Sequence, residues 1–308
     1  MHMADALISP AVGLTMGGVS ALAIGMTVAK INKNRDELSE KKVPVMGVAG
    51  AMVFAGQMIN FTIPATGSSG HIGGGILLAG LLGGSPAFLS IAAVLIIQCL
   101  FFADGGLLAL GCNIFNLGIV PCLMIYPLIF KPLLKGGIDK KRLSAASVSS
   151  AAIGLELGAL CVVFQTVLPG ITALPFGAFA ALMLPIHLVI GLIEGAVTAA
   201  VLCFIYKTRP EIVVSALSGG RLGGVPMKKT VAVLAAVTII TGGALSLLAS
   251  KNPDGLEWAI EKVAGGFGGA EADLYNPASG LAGAFATFAL AGTTGLVITK
   301  IKKRKANV

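Results

Sequence analysis

Charge is what this sequence has least of. Asp, Glu, Lys and Arg make up 12% of its 308 residues, about half the roughly 25% of an ordinary soluble domain. That scarcity excludes, as first readings, a soluble globular enzyme, a disordered chain and a nucleic-acid-binding domain. Aromatic residues are also few, at 6% with one Trp (Trp258) and three Tyr, a thin supply for stacking a flat organic ligand. The five cysteines (Cys99, Cys112, Cys122, Cys161, Cys203) sit singly in apolar runs. With no CxxC pair they read as small buried hydrophobes, not as a redox or zinc-ribbon site. No GxxxxGKS or GxxxxGKT loop is present, so the chain is not expected to hydrolyse ATP by that machinery. No HExxH or Ser–His–Asp arrangement is evident. The opening MHMADALISP has neither a basic stretch nor a small-residue cleavage site, and is not read as a signal peptide.

What is abundant is apolar surface: 56% hydrophobic residues and a mean hydropathy of +0.91. Apolar stretches near 20 residues cross a bilayer as helices, so the expectation is an all-α polytopic membrane protein. Its 42 glycines suit close helix–helix approach in lipid. The sparse charge sets the topology. Of 22 Lys and Arg, 20 fall in four clusters of five, within 30–42, 131–142, 207–229 and 300–305. By the positive-inside rule all four are cytoplasmic. Parity then gives nine crossings, at 8–29, 43–62, 72–83, 86–102, 113–130, 144–168, 177–206, 230–249 and 278–299. The N-terminus lies outside and the C-terminus inside. The run 72–83 is short enough to be re-entrant. A basic, Gly-rich stretch at 208–229 reads as a cytoplasmic linker between a seven-helix core, 1–207, and a two-helix unit, 230–308. The first span repeats small residues at Gly13, Gly17, Ala21, Gly25 and Ala29, a ridge that serves packing within the chain or docking of a partner.

Candidate chemistry is concentrated in three histidines, His2, His71 and His187. The amine of Met1, the backbone nitrogen of His2 and the His2 imidazole can chelate one metal in adjacent rings, and a second imidazole would complete a square. Planar nitrogen coordination suits Ni(II) and Cu(II). An incidental histidine in a loose N-terminus is the competing reading. His71 lies in the Gly- and Ser-rich stretch TIPATGSSGHIGGG, where Thr66, Ser68 and Ser69 are placed either to orient its ring or to satisfy loop backbone. Gln57, Asn60, Asn113 and Asn116 are further candidates for bonding loop backbone. His187 and Glu194, seven apart in one span, share a helix face as a possible intramembrane polar pair, either functional or fixing helix packing. Seven acidic residues fall in outer segments (Asp5, Asp104, Asp254, Glu257, Glu261, Glu271, Asp273), where they either concentrate cations or simply solvate loops.

Several of these residues together resemble a known family. Met1-His2-Met3-Ala4-Asp5-Ala6-Leu7-Ile8-Ser9-Pro10, Pro64 to His71, Asn113-Ile114-Phe115-Asn116-Leu117-Gly118 and His187 to Gly195 are similar to the CbiM/NikM substrate-specific components of energy-coupling-factor transporters for cobalt and nickel. The resemblance covers 1–206. Asn252-Pro253-Asp254-Gly255-Leu256-Glu257 resembles the PDGLE-type, NikN-like region that is fused to or accompanies such components.

The resemblance implies a transport component with no resident cofactor and no ATPase of its own, importing Ni2+ or Co2+ through the cell membrane. It also implies a membrane coupling subunit and cytoplasmic ATP-binding-cassette ATPases as partners. The metal ligands it implies are Met1, His2 and His71. Ala6 departs from the Gly that family members often carry, which leaves the chelate intact. The alternatives are a component for another small substrate such as a vitamin, an intramembrane enzyme using His187 and Glu194, or a structural subunit. Nickel against cobalt stays open. Affinity is expected to fall as pH drops through about 6–7, since a free amine (about 7.7–8.0) and an imidazole (about 6.5) must lose protons.

Overall fold

The computed structural model describes residues 1–34, 36–223, 227–265 and 277–306. Eleven helices form it: α1 (Pro10–Lys33), α2 (Lys42–Gln57), α3 (Gly75–Leu82), α4 (Gly84–Phe102), α5 (Leu110–Leu133), α6 (Lys140–Val167), α7 (Phe176–Thr208), α8 (Pro210–Ser218), α9 (Met227–Ile239, continued by irregular turns to Leu248), α10 (Gly255–Ala264) and α11 (Pro277–Ala306). Two three-residue strands, β1 (Phe61–Ile63) and β2 (Ser68–Gly70), pair antiparallel between α2 and α3. Among the described residues, seven helices are long and apolar enough to cross a membrane: α1, α4, α5, α6, α7, α9 over Val231–Leu248, and α11 over Leu281–Ile301.

Two of the nine expected crossings take another form. The segment 43–62 is helical only to Gln57, and the rest turns into the β1–β2 hairpin. The run at 72–83 holds the eight-residue α3, roughly 12 Å long at about 1.5 Å per residue, against a hydrocarbon core of about 30 Å. All its residues are buried, so this short helix is surrounded by protein rather than lipid. Gly74 (φ 76°) and Gly83 (φ 88°) end it in backbone that only glycine adopts freely.

Helices α6 and α7 form the longest contact of the bundle, at glycine notches: a Cβ on Gly191 would lie 2.8 Å from the Ala152 backbone, and one on Gly195 2.6 Å from Val148. Helix α11 lies along α2 in the same way, with Phe288 against Gly47, and Thr287 and Ala291 against Gly50. The ridge on α1 divides. Gly13 meets Leu108, and the α1 backbone at Gly17 lies where a Cβ on Gly111 of α5 would be, with Ser20 donating to the Gly111 carbonyl at 2.7 Å. Ala21, Gly25 and Ala29 are exposed.

The stretch expected as a linker holds α8. Pro210 opens it, and Ile212, Val213 and Ala216 pack inward. The basic clusters meet at this end of the bundle: Lys41 Nζ donates to Gly223 O, Lys42 Nζ to Glu37 O and Ser215 O, and Tyr206 OH to Ile138 O. Arg35 in the first cluster, Gly224 and Pro226 in the linker, and the acidic residues Glu271 and Asp273 lie outside the described residues.

Candidate metal centre

The chain begins by folding back into the bundle. Pro10 at the first helical position and Ser9 as N-cap start α1, and residues 1–8 run beside the loop 103–109. Gly105 and Gly106 let them in. A Cβ on Gly105 would strike the Asn113 side chain, and one on Gly106 the Asp5 carboxylate. Gly106 N donates to Met3 O, Asp5 Oδ1 accepts from Ala109 N, and Asn113 clamps Met3 on both sides, its Oδ1 accepting from Met3 N at 2.8 Å and its Nδ2 donating to Met3 O at 3.2 Å. Gly158 on α6 leaves space for the Met1 side chain.

This threading puts the Met1 amine against His71. The ammonium lies 3.2 Å from His71 Nε2 and 2.6 Å from Asp254 Oδ2. His71 Nδ1 is 3.1 Å from the Ile72 carbonyl. A carbonyl only accepts, so Nδ1 carries the proton and Nε2 faces the amine with a free lone pair. The His2 ring stacks on His71 at 5.1 Å between centroids and 19° between planes. His2 Nδ1 is 3.3 Å from Asp104 Oδ1, and its Nε2 is buried. One primary amine, one amide and two imidazoles thus lie together. Among the described residues, no three His, Cys, Asp or Glu side chains form a ligand cluster. A metal bound here would rely on main-chain and terminal nitrogen.

The histidines are held neutral. Burial, followed by the charge of the Met1 ammonium, pushes both His2 and His71 down to about 3. Burial alone would raise Asp254, but the Met1 ammonium and the Glu257 amide reverse this and hold its carboxyl below the usual range.

The remaining candidates are distributed around this cluster. Thr66, Ser68 and Ser69 do not touch the His71 ring. Thr66 bonds Ile63 O and Ser68 N; Ser69 Oγ donates to Asn252 O at 2.8 Å and its N–H to Pro253 O at 2.8 Å. The Ser68 and Ser69 hydroxyls face the segment 252–254, and the Thr66 hydroxyl stays within the hairpin turn. Asn60 takes part through its carbonyl, which accepts from Ser250 N. Gln57 bonds loop backbone, donating to Gly73 O at 2.8 Å, and Asn116 pairs with Gln165 on α6.

His187 and Glu194 are both buried on α7 but have separate partners, because each is drawn to nearby backbone. His187 Nδ1 bonds Met183 O one turn back. Glu194 accepts from Gly73 N at 2.8 Å and Gly74 N at 2.9 Å, fixing the turn that follows His71. His187 lines the same pocket as Met1, His71 and Asp254. That pocket has a cavity volume of about 10 Å³, room for about one water and far below the roughly 300–1,000 Å³ of organic-ligand sites.

Sequence reasoning assigned no contact role to Asp104 or Asp254; it placed both among outer acidic residues, and Asp254 also in the PDGLE-type motif. The signal available for Asp254 was the D-G-L-E run, a capping box in sequence. For Asp104 it was the adjoining Gly105-Gly106, which marks a close backbone approach.

The fold and site define a multi-pass helical membrane protein with a small, nitrogen-rich chamber at one end. Comparison with known proteins identifies it further. Residues 2–212 match the cobalt uptake substrate-specific transmembrane region, CbiM, and residues 228–276 match the PDGLE domain. The chain belongs to the CbiM family and is a cobalt/nickel transport component with a C-terminal PDGLE region. It is similar to the "Cobalt transport protein CbiM" of Geobacter sulfurreducens, 26% identical over 310 residues, covering 96% of this chain and 86% of that one. It is also similar to the "Probable fused nickel transport protein LarMN" of Lactiplantibacillus plantarum, 31% identical over 219 residues, with 68% and 66% covered. A solved transition metal transporter superposes with a TM-score of 0.59 at 27% identity, covering 71% of this chain and 98% of that one.

Proposed function

We propose that the chain captures Ni2+ or Co2+ from outside the cell through the Met1 amine, the His2 backbone nitrogen, the His2 imidazole and His71, as the substrate-binding component of an energy-coupling-factor transporter. The observation that supports this most is the 3.2 Å approach of the Met1 amine to the lone pair of His71 Nε2, with the His2 ring stacked alongside. Two of the four nitrogens are imidazoles that need shed no extra charge at neutral pH, and the other two release protons as the metal displaces them. Asp104 faces His2 Nδ1 in the metal-free arrangement, so chelation through that atom exchanges the carboxylate for the ion. The sequence has no nucleotide-binding loop, so a membrane coupling subunit and cytoplasmic ATP-binding-cassette ATPases supply the energy.

Planar four-nitrogen coordination favours nickel over cobalt, in line with the affinity order. The test is Ni(II) and Co(II) titration of the purified chain and of a His2→Ala variant. Loss of at least a hundredfold in affinity is expected for the variant, and wild-type affinity in it would remove the assignment. Residues added before Met1 are expected to abolish uptake in the same way.

A further inference from the structure

We propose that Asp254 is the positioning residue for the Met1 amine, and that the PDGLE segment is thereby the outer wall of the metal site rather than a separate module. This rests on the metal reading above for its function, but not for its geometry. Each letter of the motif has a place in that wall. The Pro253 carbonyl accepts from Ser69 N at 2.8 Å and, through the Ser69–Asp254 bridge, adds the segment to the β1–β2 hairpin that leads into His71. Asp254 uses its two oxygens separately: Oδ1 caps α10, accepting from Leu256 N and Glu257 N at 2.8 and 2.9 Å, while Oδ2 takes the Met1 ammonium at 2.6 Å. Gly255 lies where a Cβ would come within 3.0 Å of His187 Cε1 and 3.1 Å of Ile190 Cδ1. Leu256 is buried in the core, and Glu257 completes the capping box by accepting from Asp254 N.

A terminal amine is poorly ordered unless something ties it down. Here an ion pair from 253 residues away holds it beside His71. The cap and the amine contact are separable in one substitution. In Asp254→Asn the amide oxygen still caps the helix, since Asn is as good an N-cap as Asp. The atom in place of Oδ2 becomes an NH2 donor that cannot accept from an ammonium. Asp254→Ser, also a good N-cap, removes the second oxygen altogether and serves if the Asn variant fails to fold.

The experiment uses the full-length chain in detergent, without metal. Its N-terminal amine is acylated with a water-soluble succinimidyl acetate and followed by peptide mass spectrometry, and Ni(II) affinity is measured in parallel. Asp254→Asn is expected to acylate at least tenfold faster than wild type and to bind Ni(II) at least tenfold more weakly. Glu257→Ala, which removes the acceptor for Asp254 N and so weakens the cap while sparing the Asp254 carboxylate, is expected to stay within twofold on both. Wild-type acylation in Asp254→Asn would overturn the proposal, as would equal losses in Glu257→Ala, which would trace the effect to the helix cap. The metal reading fails separately, if His2→Ala keeps wild-type Ni(II) affinity; the acylation result, which involves no metal, still decides the Asp254 contact.

Discussion

His2 and His71 stack at 5.1 Å with the Met1 amine at the edge of the pair, and their protons govern when the N-terminus stays docked. Each ring titrates at about 3 in place against about 6.5 when released into water. The released form therefore binds more protons throughout that interval. Docking is fully favoured above about pH 6.5 and is lost as pH falls towards 3, at roughly 1.4 kcal/mol per unit for each ring. Metal-free protein is expected to lose about 2 kcal/mol per ring between pH 7 and pH 5, read as a falling Tm. A His2→Ala/His71→Ala variant should fall less steeply, and an equal slope would contradict the buried, neutral rings. In the docked chain the imidazoles are already deprotonated at pH 6. Both histidines were legible in sequence, as two of only three in the chain and both in outer segments. Asp254 was visible as an outer acidic residue and within the PDGLE-type motif, but not as a partner of Met1, because that contact joins residues 253 apart and no local pattern reports it.

The long apolar helices and the short helix within 72–83 were readable in the sequence, whereas the hairpin before it was not, since its form depends on partners elsewhere. Glu194 is one such partner. Two loop N–H groups, of Gly73 and Gly74, end on its carboxylate within a buried site, and His71 sits two residues before them. Replacing Glu194 with Ala leaves both donors without an acceptor, at about 1–3 kcal/mol for each buried group. Glu194→Ala should therefore lower Tm and also weaken Ni(II) binding through a displaced His71; unchanged values of both would refute the role. Helix α5 also departs from the regular pattern. Pro121 and Pro127 cannot donate to the helix ladder, and the stretch Phe115–Phe130 is π-helical, which seats Pro121 against Gly75 on α3. At the other contact, Gly283 of α11 has the Phe54 ring where a side chain would be, with Phe102 Cζ at 2.8 Å. Gly283→Leu should push α11 off α2 and cost at least about 1–3 kcal/mol from overpacking, measured as a drop in Tm. A neutral result would mean that α11 does not pack there.

Across the whole molecule, charge and chemistry occupy opposite ends. Lys41, Lys42 and Arg221 gather where α1 ends, α2 begins and α8 closes. The Met1 amine, His71, Asp104 and Asp254 meet at the other end, the length of α1 away. With 24 residues at about 1.5 Å each, that helix alone is some 36 Å long, enough to cross the hydrocarbon core. Since basic residues are retained on the cytoplasmic side, the proposed metal centre is expected to face outward, where an imported ion arrives. Two single-cysteine variants in a cysteine-free background test this. Lys251→Cys, exposed beside Asn252, should react with a membrane-impermeant maleimide in intact cells. Lys135→Cys, exposed in the second basic cluster, should react only once the membrane is opened. The reverse labelling would turn the centre to the cytoplasm, and capture from outside would then have to be abandoned even if His2 and His71 still bound the metal.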